Sequence, residues 1–366
     1  MVVENQLDLG LGSPNDFASL VAMDRFNHEQ RQKGGLGYGP PQGLPEALDA
    51  VVLWLQEELR AGGDLTGLNV CLGGGPAGGS RLLIVKALQT FFETGDEIAL
   101  MQDYYNGHQE AIEEVGLRTV VIPGKRPCDF VSAFKNTCAS GHAPKGVLIC
   151  NVTNPTGQCF QQEDIAQIHA MAIEYDFLVL EDYAYGAFDF TQGYAPSGVA
   201  IDVELDHTIL FCTASKMLGL AGYGLGIMVA TTARVQNVLQ TKRVLAEGSC
   251  KPAQLALASG LNEDRKYIAE TREVYMLRGI LGNSLAKESG LVCEIEQQGG
   301  MFGYYNVNGY RGGASRLVAE LKKKKVTVRD DRIYGGNNTQ IRVCFRLEEA
   351  DLRQAFSIIK GVITLG

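Results

Sequence analysis

The sequence predicts an α/β protein with a mostly parallel sheet in a large domain and a smaller α+β domain beside it. Between Asn69 and Ala230, short and wholly apolar segments alternate with helical ones, the pattern of strands covered by helices on both faces. After about Leu285 the rhythm changes to strand, strand, helix, strand, helix, as in a small mixed domain. The length, 366 residues, is enough for both. The large domain is expected over 45–286, and the small one over 287–366 together with the N-terminal 1–44.

Taken in order, Leu7 to Asn15 is punctuated by glycine and proline and reads as extended. Gly34 to Gly43 is a loop, because its glycines and prolines forbid regular structure. A helix starts at Pro45, a residue suited to a first turn, with Leu48, Val52, Leu55 and Leu59 on one face. Strands are expected at Asn69–Leu72, Glu97–Met101, Arg118–Ile122, Gly146–Cys150, Phe177–Leu180, Thr208–Cys212 and Gly226–Ala230. Helices fall between them, running to Phe92, around Glu110–Val115 and around Ile165–Ala172. The stretch from Val235 to Leu285 reads helical. The small domain then takes strands at Leu291–Ile295, Phe302–Asn306 and Gln340–Arg346, with helices at Arg316–Lys323 and Glu348–Lys360.

Composition excludes several classes of function. No apolar run reaches the 18 or so residues of a membrane span, and the N-terminus lacks the basic and apolar stretches of a signal peptide. A net charge of -9 argues against a nucleic-acid surface. The nine cysteines are scattered without a CxxC pair or zinc spacing, and the five histidines form no HxxxH cluster, so no metal is expected. Cys71, Cys150, Cys212 and Cys344 lie in apolar contexts and read as buried small hydrophobes of a reducing cytoplasm.

The chemistry is concentrated at strand ends, where ligands of open α/β sheets bind. After Gly146–Cys150 comes Asn151-Val-Thr-Asn154-Pro-Thr-Gly157; after Phe177–Leu180 comes Glu181-Asp182-Tyr-Ala-Tyr185; after Thr208–Cys212 comes Thr213-Ala-Ser-Lys216, followed by Gly-Leu-Ala-Gly. A Lys just past a buried strand is poorly explained by packing, because a desolvated amine is costly without a partner. Its available chemistry is imine formation with a carbonyl, above all with pyridoxal phosphate. Read one at a time, Asp182 is also a helix cap, Asn154 a turn residue before proline, and Lys216 a surface residue of a Gly-rich loop. Together they place an amide, a carboxylate, a phenol and an amine around one crevice.

These motifs, with 28 residues from Asn154 to Asp182 and 34 from Asp182 to Lys216, resemble the class I/II aminotransferases, enzymes of the fold-type-I pyridoxal-phosphate class. The likeness runs from Leu9 to about Arg346. It implies that Lys216 holds the cofactor as a Schiff base and later moves the α-proton, its pKa lowered by a dry, positively charged pocket. Asp182 would pair with the pyridine nitrogen, while Asn154 and Tyr185 would donate to the phenolic oxygen of the ring. Gly75, Pro76, Ala77 and Gly78, at the start of a helix, would cradle the phosphate, with Thr213 adding a hydroxyl. Tyr105 would stack on the ring. Tyr38 would reach the phosphate of a neighbouring subunit, implying a homodimer with shared active sites. Arg342 would grip the α-carboxylate of an amino-acid substrate, with Leu11 and Gly12 beside it.

One departure stands out. The family commonly places a phosphate-binding arginine eight residues after the lysine, and here that position is Gly224. Arg81 and Arg243 are the candidates to replace its charge, and Glu181 and His108 are further candidates for specialisation. Transamination is the leading reading. Elimination, replacement, condensation or oxidation on the same scaffold, including on a bulky substrate such as S-adenosylmethionine, is the alternative. A pyridoxal-binding transcription regulator would need a basic DNA-binding module before Leu7. A dehydrogenase would use Gly73, Gly75 and Gly78 as a GxGxxG turn, but no acidic residue closes the next strand in the required way.

Overall fold

The computed structural model describes residues 6–14, 18–32, 39–74, 79–245 and 248–365. In chain order, a short strand β1 (Leu7–Asp8) precedes helices α1 (Leu20–Arg31) and α2 (Pro45–Glu58). Then come β2 (Val70–Gly74), α3 (Gly79–Phe91), β3 (Glu97–Met101), α4 (Asn106–Glu114), β4 (Arg118–Ile122) and α5 (Pro127–Ala139). They are followed by β5 (Gly146–Cys150), α6 (Gln162–Tyr175), β6 (Leu178–Asp182), β7 (Thr208–Thr213), the single turn α7 (Ala214–Met217) and β8 (Leu225–Val229). Three helices follow: α8 (Thr232–Leu245), α9 (Lys251–Glu263) and α10 (Arg265–Glu288). The C-terminal part holds β9 (Phe302–Asn306), α11 (Gly313–Lys323), β10 (Val326–Thr327), β11 (Arg329–Asp330), β12 (Gln340–Cys344) and α12 (Glu349–Leu365).

Seven strands form the large sheet in the order β2-β8-β7-β6-β5-β3-β4. All neighbours are parallel except β8, which runs antiparallel to both β2 and β7. Side chains alternate across it as strand geometry requires. Ile98 and Leu100 join a cluster with Leu83, Ile84 and Phe211, while Ala99 and Met101 face Phe130, Phe134 and Ile165 on the other side. Each fully buried aliphatic or aromatic side chain contributes roughly 1.5–3 kcal/mol, which is why the strands carry almost no polar residue before their carboxyl ends. Because β5, β6 and β7 are adjacent, the segments after Cys150, Asp182 and Thr213 emerge side by side.

The second sheet has the order β11-β12-β9 and is antiparallel. β1 pairs in parallel with β10, and the Leu9 carbonyl accepts from Cys344 N at 2.8 Å, so the N-terminal segment is laced onto the small sheet.

Three differences from the sequence expectation have physical causes. Leu291–Ile295 is not a strand: Val292 makes one bridge to Asn306, and the chain then turns to the Gly157 loop, where Gln298 N and Gly299 N both donate to Gly157 O. Helix α5 was not anticipated; its buried Phe130, Val131, Phe134 and Cys138 are separated by polar residues that mask the stripe. Helix α1 buries only Ala22 fully and presents little apolar pattern. The expected Gly34–Gly43 loop falls partly outside the described residues.

Candidate active site

The strand-end segments converge on a cavity of about 580 Å³. Asp182 closes β6 and is 6% exposed. Its Oδ1 accepts from Ala184 N at 3.0 Å, and its Oδ2 accepts from His108 Nε2 at 2.7 Å. His108 lies in the first turn of α4, directly after Tyr105, so the turn that places the tyrosine also places the imidazole against the carboxylate. Tyr105 is 38% exposed to the cavity, and its ring meets His108 edge-on at 5.2 Å.

Lys216 sits in α7, one turn past β7. Thr213 starts that turn: its hydroxyl accepts from Ser215 N at 3.2 Å and donates to Leu225 O at 3.0 Å. The Lys216 amine stands 5.8 Å from the Tyr185 ring centroid. Burial lowers its pKa to about 8; the nearby Arg342 pushes the same way, while Cys344 and Asp182 oppose. A fraction of this amine is therefore unprotonated near neutrality.

Arg342 reaches the cavity from β12. It donates to Asn154 Oδ1 at 2.8 Å and to Gly10 O at 2.6 Å, and its buried Nε has no acceptor. Because Asn154 Oδ1 is taken by Arg342, the amide NH2 is left to donate elsewhere. Tyr185 donates its hydroxyl proton to Gly12 O at 2.7 Å. Gly12 is required by this approach, since a β-carbon there would lie 2.8 Å from the Tyr185 hydroxyl. Leu11, 50% exposed, lies beside it on the cavity wall.

Lys216, Asp182, Tyr185, Asn154, Thr213, Tyr105, Arg342, Leu11 and Gly12 thus all line one cavity. Gly75, Pro76, Ala77, Gly78 and Tyr38 lie outside the described residues, as does the side chain of Arg243. Gly224 ends a short helical turn at φ +59°, a left-handed backbone in which arginine would be strained. Arg81 lines the same cavity and is paired to Glu110 at 2.8 Å. Glu181, by contrast, faces away and accepts from Ser197 and Gly198 N in a buried network. The sequence reading did not single out Arg329, Ile333 or Tyr334, which also line the cavity, beside Arg342. They sit on a two-residue strand and the turn after it, where no periodicity marks a face.

The sequence matches the family model "Aminotransferase class I and II" over residues 4–359. The chain belongs to this family. Among class I and II aminotransferases it is 23% identical to glutamate-pyruvate aminotransferase AlaC of Escherichia coli, over 98% of this chain and 87% of that protein. It is likewise 23% identical to aromatic-amino-acid aminotransferase 2 of Thermococcus litoralis, over 99% and 92%. Its fold superposes on a Thermus thermophilus aspartate aminotransferase mutant with a TM-score of 0.87 at 19% identity, covering 99% of this chain and 97% of that one. The aromatic aminotransferase of Pyrococcus horikoshii gives 0.89 at 20% identity, covering 100% and 97%. The fold is that of the fold-type-I aminotransferases, and the chain is an enzyme of the aminotransferase type. The alternative of elimination, condensation or oxidation is not favoured by these relatives. Among the described residues, no helix is long and apolar enough to cross a membrane and no cluster suits a metal ion.

Proposed function

We propose that the protein transfers an amino group between an amino acid and a 2-oxo acid, with pyridoxal phosphate bound between Lys216 and Asp182. The observation that carries this is the convergence of a partly deprotonated amine and a buried carboxylate on one cavity from adjacent strand ends. The surrounding donor set fits the same group. An aromatic face is available at Tyr105, a free amide NH2 at Asn154, and hydroxyls at Thr213, Ser215 and Ser80 beside the start of α3. When bound, the cofactor supplies an aldehyde to hold the amino group and a ring that draws electrons from the substrate.

The residues have separate tasks in this reading. Asp182, held by His108, keeps a proton on the ring nitrogen. Arg342 takes the α-carboxylate through a two-pronged charge-assisted bond, its unsatisfied Nε adding a donor. That grip fixes the α-carbon within reach of Lys216, which removes and returns the proton there. Tyr105 covers the ring and excludes water. Tyr185 can donate toward the cofactor only if Gly12 releases its hydroxyl proton, so the 10–12 segment and the phenol act together. Gly75 to Gly78 and Thr213 hold the phosphate, with Arg81 in place of the arginine absent at 224. The same reading takes 45–286 as the large domain, a cytoplasmic location in keeping with nine free thiols, and a homodimer in which Tyr38 of each chain reaches the other's site.

The test is transfer of a nitrogen isotope. Purified protein with the cofactor, a panel of 15N-labelled amino acids and 2-oxo acids should yield a newly labelled amino acid by mass spectrometry. No transfer across the panel, from protein that binds the cofactor, would refute this reading.

A further inference from the structure

Asp103 is a buried carboxylate that the proposed reaction does not use. It lies just past β3, two residues before Tyr105, and is 6% exposed. Its backbone is left-handed at φ +58°, a conformation that Asp and Asn tolerate better than most residues with a β-carbon. Its Oδ1 accepts from the Tyr304 hydroxyl at 3.3 Å, across 201 positions of sequence. Among the described residues its buried Oδ2 has no hydrogen-bond partner, a costly arrangement for a side chain that only packs. Burial pushes the carboxyl up, and Lys125 opposes. Burial, with Asp103 beside it, also pushes the Tyr304 phenol up, so the hydroxyl keeps the proton it donates. The neighbours of this pair belong to the segments that form the cavity. Tyr304 stands directly across the β9–β12 ladder from Arg342, so both side chains leave the small sheet on one face. Tyr334 packs against both, its ring centroid 6.4 Å from that of Tyr304 and 5.3 Å from Arg342 Cζ. Asp103 and Tyr304 also line a crevice of about 10 Å³ with Thr156, two residues after Asn154, and with Lys125, which pairs with Glu294 at 3.0 Å. Walls that close are packed, and a shift of one is felt by the others.

We propose that Asp103 and Tyr304 are positioning residues, whose hydrogen bond fixes the aromatic face of Tyr105 relative to the guanidinium of Arg342. The group that covers the cofactor and the group that grips the substrate carboxylate are then tied to each other through one buried link. This rests on the aminotransferase reading above and adds two residues to it. Neither lines the larger cavity, and each acts through its neighbour: Asp103 through the Tyr105 turn, Tyr304 through the strand that pairs with β12.

Equilibrium dialysis of pyridoxal phosphate against the apoprotein, with steady-state KM and kcat of the holoenzyme beside it, tests this. Tyr304→Phe removes only a hydroxyl. It should weaken cofactor binding and raise KM for the amino acid, each about three- to tenfold, the range of one hydrogen bond. Asp103→Gly removes the carboxylate at a backbone glycine adopts freely, and should have the same effect. The double variant should be no worse than either single one, because both remove the same bond. Asp103→Asn keeps an acceptor and the left-handed preference, and should recover most of the loss. A bond that merely holds the fold together would lower the urea midpoint and leave the cofactor dissociation constant and KM unchanged. That result, or additive losses in the double variant, overturns the assignment. Should Asp103→Gly fail to fold, the dissociation constant and KM of Tyr304→Phe decide the matter alone. Wild-type protein that binds no cofactor sinks the aminotransferase reading instead.

Discussion

Lys216→Met in the cofactor-free protein gives a measurable consequence of the site's electrostatics. Burial is the main cause of the drop in the Lys216 pKa from 10.5 to about 8. At 1.36 kcal/mol per pH unit that is about 3 kcal/mol, and the cavity's contact with water reduces it to about 2 kcal/mol. Below about pH 8 the amine is charged in both folded and unfolded chains, and the folded chain bears the full desolvation cost. Between about pH 8 and 10.5 the folded state alone has lost its proton, and the cost fades; above that range neither state is charged. Methionine has similar length and no charge. The variant should therefore be about 2 kcal/mol more stable than the wild-type apoprotein in urea unfolding near pH 7, and the gain should shrink as pH approaches about 10. A gain of zero, or one independent of pH, would show that Lys216 is not held in a desolvating environment.

Other outcomes follow from the same geometry. Arg342→Gln should lower kcat/KM for the amino acid by the equivalent of about 2–4 kcal/mol, since it removes one partner of a buried charge pair; steady-state kinetics measure this. His108→Phe keeps a ring beside Tyr105 but leaves Asp182 Oδ2 without its donor, and should weaken cofactor binding about tenfold in equilibrium dialysis. Gly224→Ala should cost roughly 1 kcal/mol of stability in denaturant titration, because a β-carbon is unfavourable at a left-handed backbone.

Much of the large sheet was legible because its strands are nearly pure apolar runs bounded by glycine, and because Asn154, Asp182 and Lys216 each follow one. The rule that ligands gather beyond the carboxyl ends of adjacent strands then joined residues 62 positions apart, from 154 to 216, without coordinates. Helix α5 escaped because polar residues interrupt its stripe, and the Leu291–Ile295 segment misled because an apolar and β-branched composition does not say where its backbone will find partners. Arg329 was invisible for a different reason. It lies in Val326-Thr-Val-Arg-Asp-Asp331, between the elements expected from the sequence, and only the pairing register sets it opposite Arg342. The hydroxyl of Tyr185 was recognised, but its partner at Gly12 lies 173 residues away and follows no local pattern.

The lacing of the Leu7–Gly12 stretch onto β10 and β12 makes one wall of the cavity a strap on the small sheets rather than part of the seven-stranded one. Substitutions in that strap could reshape the chamber's width without disturbing the seven-stranded platform that carries the amine and carboxylate. Under the proposed function, the scaffold thereby separates the part that performs the chemistry from the part that chooses what undergoes it.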